Sequence, residues 1–316
     1  PSSFQNAGVY GNSNGMISIG GAGATGGVAI GSYGGITTIE GSGIGLYAVQ
    51  GYTQVGYHNS GGGDIIIQAL GGLTLSGNNA TKAQIGNGAS FGVAGTSGNI
   101  TINAAAIYDS AGGDIAGNIA TLTTSGGSIG SATAPLNLTV SALSVSASNA
   151  SGAANAYLAQ TAGDLALGAN GQGINLHGGN LTLTGAGNIT QSNAIVANAV
   201  NISTTSGNIV LTTSGNQVGT ASLTATGNVS LTDVPNLTIA SANVGGTLTL
   251  VDTGTIGQGG AITAATLVAD GTSVTLTDTG NEIGTANLTA TGDASLADTS
   301  ALNISGADVG GTLTLI

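Results

Sequence analysis

His58 and His177 are the only imidazoles in the chain, and there is no cysteine. Acyl-transfer chemistry needs a base oriented against its nucleophile, and thiolate-held zinc or redox centres need cysteines. Counted on a repeat of about 20 residues, the two histidines fall about six coils apart and share no site. Serine is spread so evenly that composition points to no nucleophile. The expectation is a protein that is not an enzyme.

The carboxylates are more suggestive. Asp233, Asp252 and Asp298 each follow a turn glycine by six residues (Gly227, Gly246, Gly292), and Asp278 follows Gly271 by seven. In a stacked repeat some of these would lie about 5 Å apart, where like charges repel at any effective protein dielectric. They must splay, share protons or hold a cation, and a weak structural calcium is chemically admissible because calcium accepts several oxygens in loose geometry. The plainer reading is a set of Asp-Thr-Gly and Asp-Thr-Ser turns in which Asp bonds its own backbone, and that reading is preferred. Turn chemistry is likewise preferred for Asp64, Asp114 and Asp164, whose even spacing is not a multiple of the coil repeat. Gly20-Gly21-Ala22-Gly23 hints at a calcium nonapeptide, but Thr25 stands where that pattern needs Asp.

Five of the seven tyrosines lie in residues 1–62. Two roles compete for them. Buried packing among glycine-rich coils is the commoner; the other is sugar stacking, for which the evenly spaced Tyr47, Tyr52 and Tyr57 are the candidate ligand-binding set.

Thirteen carboxylates against the single Lys82 give a formal net charge of −12. Such a surface can neither neutralise phosphates nor bind an anionic bilayer, so nucleic acid and membrane-surface partners are excluded. No apolar run reaches the length of a membrane-spanning helix, and membrane insertion is not expected. Charged residues are 4% of the chain while hydrophobic ones remain 41%; the chain therefore has a core, and Ser, Thr, Asn and Gly form its outside.

What positions these residues is a repeat. Gly215-Asn216-Gln217-Val218-Gly219-Thr220-Ala221 returns as Gly280-Asn281-Glu282-Ile283-Gly284-Thr285-Ala286, and Asn243–Leu250 returns at the same offset as Asp308–Leu315, a long period of about 65 residues. Within this, Gly-Asn-(Ile/Val) recurs evenly at Gly187, Gly207 and Gly227, which sets a short period of about 20 residues. After the turn glycines apolar and polar residues alternate, as at Ile209/Leu211, Val229/Leu231 and Leu248/Leu250, which is the period of a half-buried strand. A unit this short cannot bury its apolar face alone and must stack on its neighbours. The fold class is therefore all-β, a parallel β-helix or solenoid of about 20-residue coils. Dividing the chain length by that period predicts about 16 coils and a rod about 75 Å long. By texture the chain divides into a Gly/Tyr-rich solenoid segment 1–62, irregular coils 63–178, and regular repeats 179–316 that carry the long super-repeat. It reads as an excerpt of a longer chain.

Gly62-Gly63-Asp64-Ile65, Gly72-Leu73-Thr74-Leu75, Ala83-Gln84-Ile85-Gly86-Asn87-Gly88, Gly98-Asn99-Ile100-Thr101-Ile102 and Gly127-Ser128-Ile129-Gly130 follow in order. This succession, over roughly residues 50–316, resembles the filamentous-haemagglutinin-like exoproteins of bacterial two-partner secretion. The resemblance implies a right-handed β-helix, export through an outer-membrane two-partner secretion transporter, and deployment at the cell surface or in the extracellular matrix of a Gram-negative bacterium. The Asn-Pro-Asn secretion module of that family is absent, so transporter recognition would lie outside this sequence.

The expected function is a secreted adhesin or biofilm-matrix scaffold that meets exopolysaccharide, a neutral one given the charge. A passive stalk is the bland alternative. Thr-x-Thr pairs at Thr182, Thr224, Thr247, Thr275, Thr289 and Thr312 raise an ice-binding solenoid, although threonine also suits the outer face of any strand. A polysaccharide-cleaving β-helix is disfavoured, since such enzymes pair carboxylates or use Arg and Lys beside calcium, and this chain has no Arg and one Lys. Asn-x-Ser/Thr sequons at Asn180, Asn188, Asn228 and Asn287 are read as turn structure.

Overall fold

A strand with one apolar face needs a second layer; here the other strands of the coils supply it across the interior, while each next coil extends the sheets edge to edge. The computed structural model describes residues 9–21, 26–59, 61–78, 81–88, 97–110, 112–234 and 236–316. Among them the chain is all β, with 28 strands, no helix, and parallel pairing between stacked coils. It forms a β-solenoid of about 13 turns.

Three interior columns define each regular coil. One runs Ile189–Ile209–Val229–Leu248–Leu267, a second Leu237–Ile256–Val274–Ala294, a third Leu223–Ala242–Ile262. All are buried, including the six residues expected inward from alternation: Ile209, Leu211, Val229, Leu231, Leu248 and Leu250. Each such side chain contributes about 1.5–3 kcal/mol by leaving water, which short strands need because their hydrogen bonds alone are worth little net. Val210 and Ser230 alternate outward between them.

The coil count differs from the expected 16, and so does the length, which at about 4.8 Å per coil becomes about 60 Å. The reason is local. Ile209 stands opposite Val229, which is the short period, but Thr37 stands opposite Ile65 and Ile65 opposite Ile100, so these early coils take longer steps along the chain. Register shifts of one residue also stack at a corner of these coils, Ser13/Met16, Gly41/Ile44 and Ala69/Gly72, as they do in the regular coils at Ala221/Ser222 and Val244/Thr247. Such bulges bend a strand sharply while its flanks stay paired. The core itself is continuous. Thr37–Tyr47 pairs with Ile65–Ser76, and Ala156–Gln160 with Asn180–Gly185, so the ladder passes through both texture boundaries.

Candidate functional site

The tyrosines of the first coils rest on glycine. A Cβ on Gly27 would overlap the Tyr52 ring, and one on Gly45 would overlap the ring of Tyr47, next but one along the same strand. Glycine here is a seat: without a side chain, the backbone lets a ring lie against it. Glycine and tyrosine therefore go together in these two seats. The rings are nevertheless only partly covered. Tyr47, Tyr52 and Tyr57 are half-buried and Tyr33 is 44% exposed.

The rings form two linked pairs. Tyr52 stacks on His58 with centroids 4.2 Å apart and planes 6° from parallel, while Tyr57, next in chain to His58, meets Tyr33 edge to face at 5.3 Å and 77°. Buried Gln54 orients the imidazole. Its Nε2 donates to Gly86 O (2.7 Å) and Gly88 O (3.0 Å), so its Oε1 must accept, and His58 Nδ1, at 2.7 Å, carries the proton. Of the expected trio, then, Tyr52 and Tyr57 come together through His58. Tyr47 sits apart on Gly45, and Tyr33 joins the group. His177 belongs to a coil several register steps away, with Nδ1 3.1 Å from Ala147 O.

The acidic column resolves into unlike parts. Asp233 and Asp252 are direct register partners on the strands Val229–Asp233 and Leu237–Asp252, both pointing inward and buried. Asp233 Oδ1 accepts from Val218 N (2.8 Å), and Asp252 Oδ1 from Asn236 N (3.1 Å) and Gly254 N. The Oδ2 atoms of both are buried without a hydrogen-bond partner. Asp278 and Asp298 lie elsewhere and are half-exposed. Asp278 accepts from Gly280 N (2.8 Å), the turn bond expected of Asp-Thr-Gly, and Asp298 takes Ile283 N (2.9 Å) as Asp233 takes Val218 N one super-repeat earlier. Among the described residues no group of three or more Asp, Glu or His is arranged to hold a metal.

Asp114 departs from its expected turn. It lies within the strand Gly113–Ala116, buried, with Lys82 Nζ 3.9 Å from its Oδ2. Burial pushes its carboxyl up, Lys82 draws it down, and Asp109 raises it further. Asp64 and Asp164 lie just before the strands Ile65–Ser76 and Leu165–Leu167 and bond across coils instead of making the local turn bond expected of them. Asp64 Oδ1 accepts from Asn99 N and Asp164 Oδ1 from Asn188 N, each in the following coil. From Asp164 an amide ladder continues: Asn208 N to Asn188 Oδ1 (2.9 Å), Asn228 N to Asn208 Oδ1 (2.7 Å), Thr247 N to Asn228 Oδ1 (2.8 Å). The Gly-Asn-Ile period is thus a hydrogen-bonded spine, and the sequons at Asn188 and Asn228 are part of it.

Two buried amides were not singled out from sequence. Asn216, fully buried, accepts from Ile195 N (2.9 Å) and Gln191 Nε2 and donates to Leu211 O (3.2 Å), Thr232 O (2.9 Å) and Gln191 Oε1 (3.2 Å). Asn281 repeats the arrangement with Ile262 N, Leu276 O, Ala297 O and Gln258. The long-period recurrence of Gly-Asn contained the signal, but the motif reads as a turn until the register shows it facing in. On the outer face, an open groove of about 600 Å³ crosses three coils, lined by Ser203, Thr205, Thr224, Thr226 and Asn243. The Thr-x-Thr pairs do not rank as one array: Thr224 faces Asn243, Thr289 faces Asp270 and Thr275 faces Ser295, while Thr247, Thr266 and Thr285 do align.

A family model described as repeats of unknown function (DUF5649) matches residues 153–225 and 226–290. This chain is a repeat protein. The second matched unit, 226–290, has the length of the super-repeat. No curated protein and no solved structure matches the chain.

Proposed function

We propose that the chain is the rod of an extracellular adhesin or biofilm-matrix scaffold, and that it holds neutral exopolysaccharide on the aromatic ledge of its first coils. The observation that carries this reading is the ledge itself. Tyr33, Tyr52, Tyr57 and His58 gather in two linked ring pairs on the first coils, where Met16, Ile36, Val49 and Leu70 are also exposed. Ring faces stack on the apolar faces of sugars, and Tyr hydroxyls supply polar tips. With a net charge of −12 the rod has no Coulomb attraction for an acidic polymer. Rigid strands add a second advantage, because side chains already held in place lose little freedom on binding and a long polymer meets many weak sites in register. Residues 179–316, which contain no aromatic residue, serve as the stalk, with the hydroxyl-lined groove as a supplementary hydrogen-bonding face. Secretion by a two-partner route, with transporter recognition elsewhere in a longer protein, is the delivery that the haemagglutinin-like phrases support.

The test is retention of neutral and acidic exopolysaccharides on the immobilised protein at low and high salt. Capture of the neutral polymer, insensitive to salt, is expected. Preferential and salt-sensitive capture of the acidic polymer without divalent cation would overturn the proposal, and capture of neither would reduce the rod to a passive spacer.

A further inference from the structure

Every other fully buried polar side chain of the regular coils is neutral, as at Asn216 and Asn281, and each of these two finds partners on all sides. The exception is the pair Asp233 and Asp252, stacked one coil apart in direct register and facing inward. Each uses Oδ1 to accept backbone N–H groups, and each has an Oδ2 that is buried and without a partner. Two carboxylates on neighbouring strands, about 5 Å apart and out of water, cannot both be charged without large repulsion and desolvation. One proton between the two open Oδ2 atoms removes both costs, because the protonated acid becomes the donor that the other carboxylate lacks.

We propose that Asp233 and Asp252 share a single proton, forming a latch between two successive coils that is closed in acid and opens as the pH rises.

No other charge satisfies the pair. The strands packed against it are Ile209–Leu211, Gln217–Ala225, Thr255–Gln258 and Ile262–Gly271; their only titratable group is Asp270, exposed on the outer face opposite Val251. The chain's one lysine is engaged with Asp114 in another coil. Burial, the largest influence, pushes the Asp233 carboxyl up to about 7; the Val218 and Val234 N–H groups oppose this and the Asp252 charge adds to it. The ordinary value is 3.8, so the folded chain keeps a proton that the unfolded chain releases between about pH 4 and 7. The latch contributes fully below that window, and its contribution is lost as the pH rises to about 7.

The experiment is thermal unfolding of the whole chain between about pH 4 and pH 8, in chelator and in calcium, for the unaltered protein and Asp233→Asn. The amide keeps the bond from Val218 N and gives Asp252 a permanent donor. The unaltered protein is expected to lose melting temperature steadily across the window and then level off, while Asp233→Asn, which keeps only the contribution of the raised Asp114 carboxyl, melts with a clearly shallower dependence and higher at the alkaline end. A flat profile in the unaltered protein overturns the latch, as does a variant with the parent's slope. A calcium-dependent rise at about pH 8 that Asp233→Asn abolishes also overturns it, since the pair would then hold an ion instead of a proton. Infrared spectroscopy gives a second reading that leaves both Asp233 and Asp252 in place. With Asp114→Asn as background, a protonated carboxyl band persists at about pH 6 if the proton is shared, and its absence contradicts the proposal.

Discussion

Replacing Asn216 by alanine removes an interior node of five hydrogen bonds. Its Oδ1 serves Ile195 N and Gln191 Nε2, and its Nδ2 serves Leu211 O, Thr232 O and Gln191 Oε1. The residue is fully buried, so bulk water does not take over these bonds. A net hydrogen bond is worth about 1 kcal/mol, and a buried donor left without an acceptor costs about 1–3 kcal/mol. The Ile195 N–H becomes such a donor, whereas the carbonyls have second lone pairs and Gln191 Nε2 keeps its bond to Asn193 O (2.8 Å). Allowing for that partial repair, the loss is about 4 kcal/mol. In a solenoid each coil contacts only its neighbours, so the loss is local. Hydrogen exchange is therefore the sharper assay: the Ile195 amide should exchange about a thousandfold faster in Asn216→Ala, while amides near Leu296 stay as slow as in the parent. Asn281→Ala should reproduce the effect at Ile262. An Ile195 amide that remains protected, or a stability loss below about 1 kcal/mol, would refute the view of these amides as tie-points between coils.

Leu231→Asp places an unpaired charge in the interior column beside Leu211 and Leu250 and should cost several kcal/mol, seen as early melting of those coils; parental melting would show that the register is wrong. Gly27→Ala thrusts a methyl into the Tyr52 ring and should cost about 1–3 kcal/mol, with a changed tyrosine near-ultraviolet dichroism as the ring leaves its seat; an unchanged spectrum would contradict the seating argument.

Alternation and the two nested periods were enough to place Ile209, Val229 and Leu248 in one buried column, because a period of two allows only one face inward and identical units stack in identical register. The long coils between Thr37 and Ile100 escaped the count since their additional residues carry no self-similar phrase. Asn216 and Asp252 show a different limit. Gly-Asn and Asp-Thr-Gly are turn motifs in either setting, and Asp252 does make its turn bond to Gly254, yet both side chains also face the interior. Whether a turn residue looks in or out depends on what the adjoining coil presents. The ring seats have the same origin: Tyr52 and Gly27 are far apart along the chain and meet only across coils.

The most direct test of the proposed adhesive ledge is the affinity for a neutral exopolysaccharide of the double variant Tyr33→Ala/Tyr57→Ala, set beside Tyr108→Ala, which removes a ring 56% exposed in a different coil. Two stacking rings at about 0.5–1.5 kcal/mol each, beyond their area burial, predict a loss of about fivefold to 150-fold for the double variant and none for Tyr108→Ala. Undiminished binding by the double variant, or an equal loss with Tyr108→Ala, would contradict it.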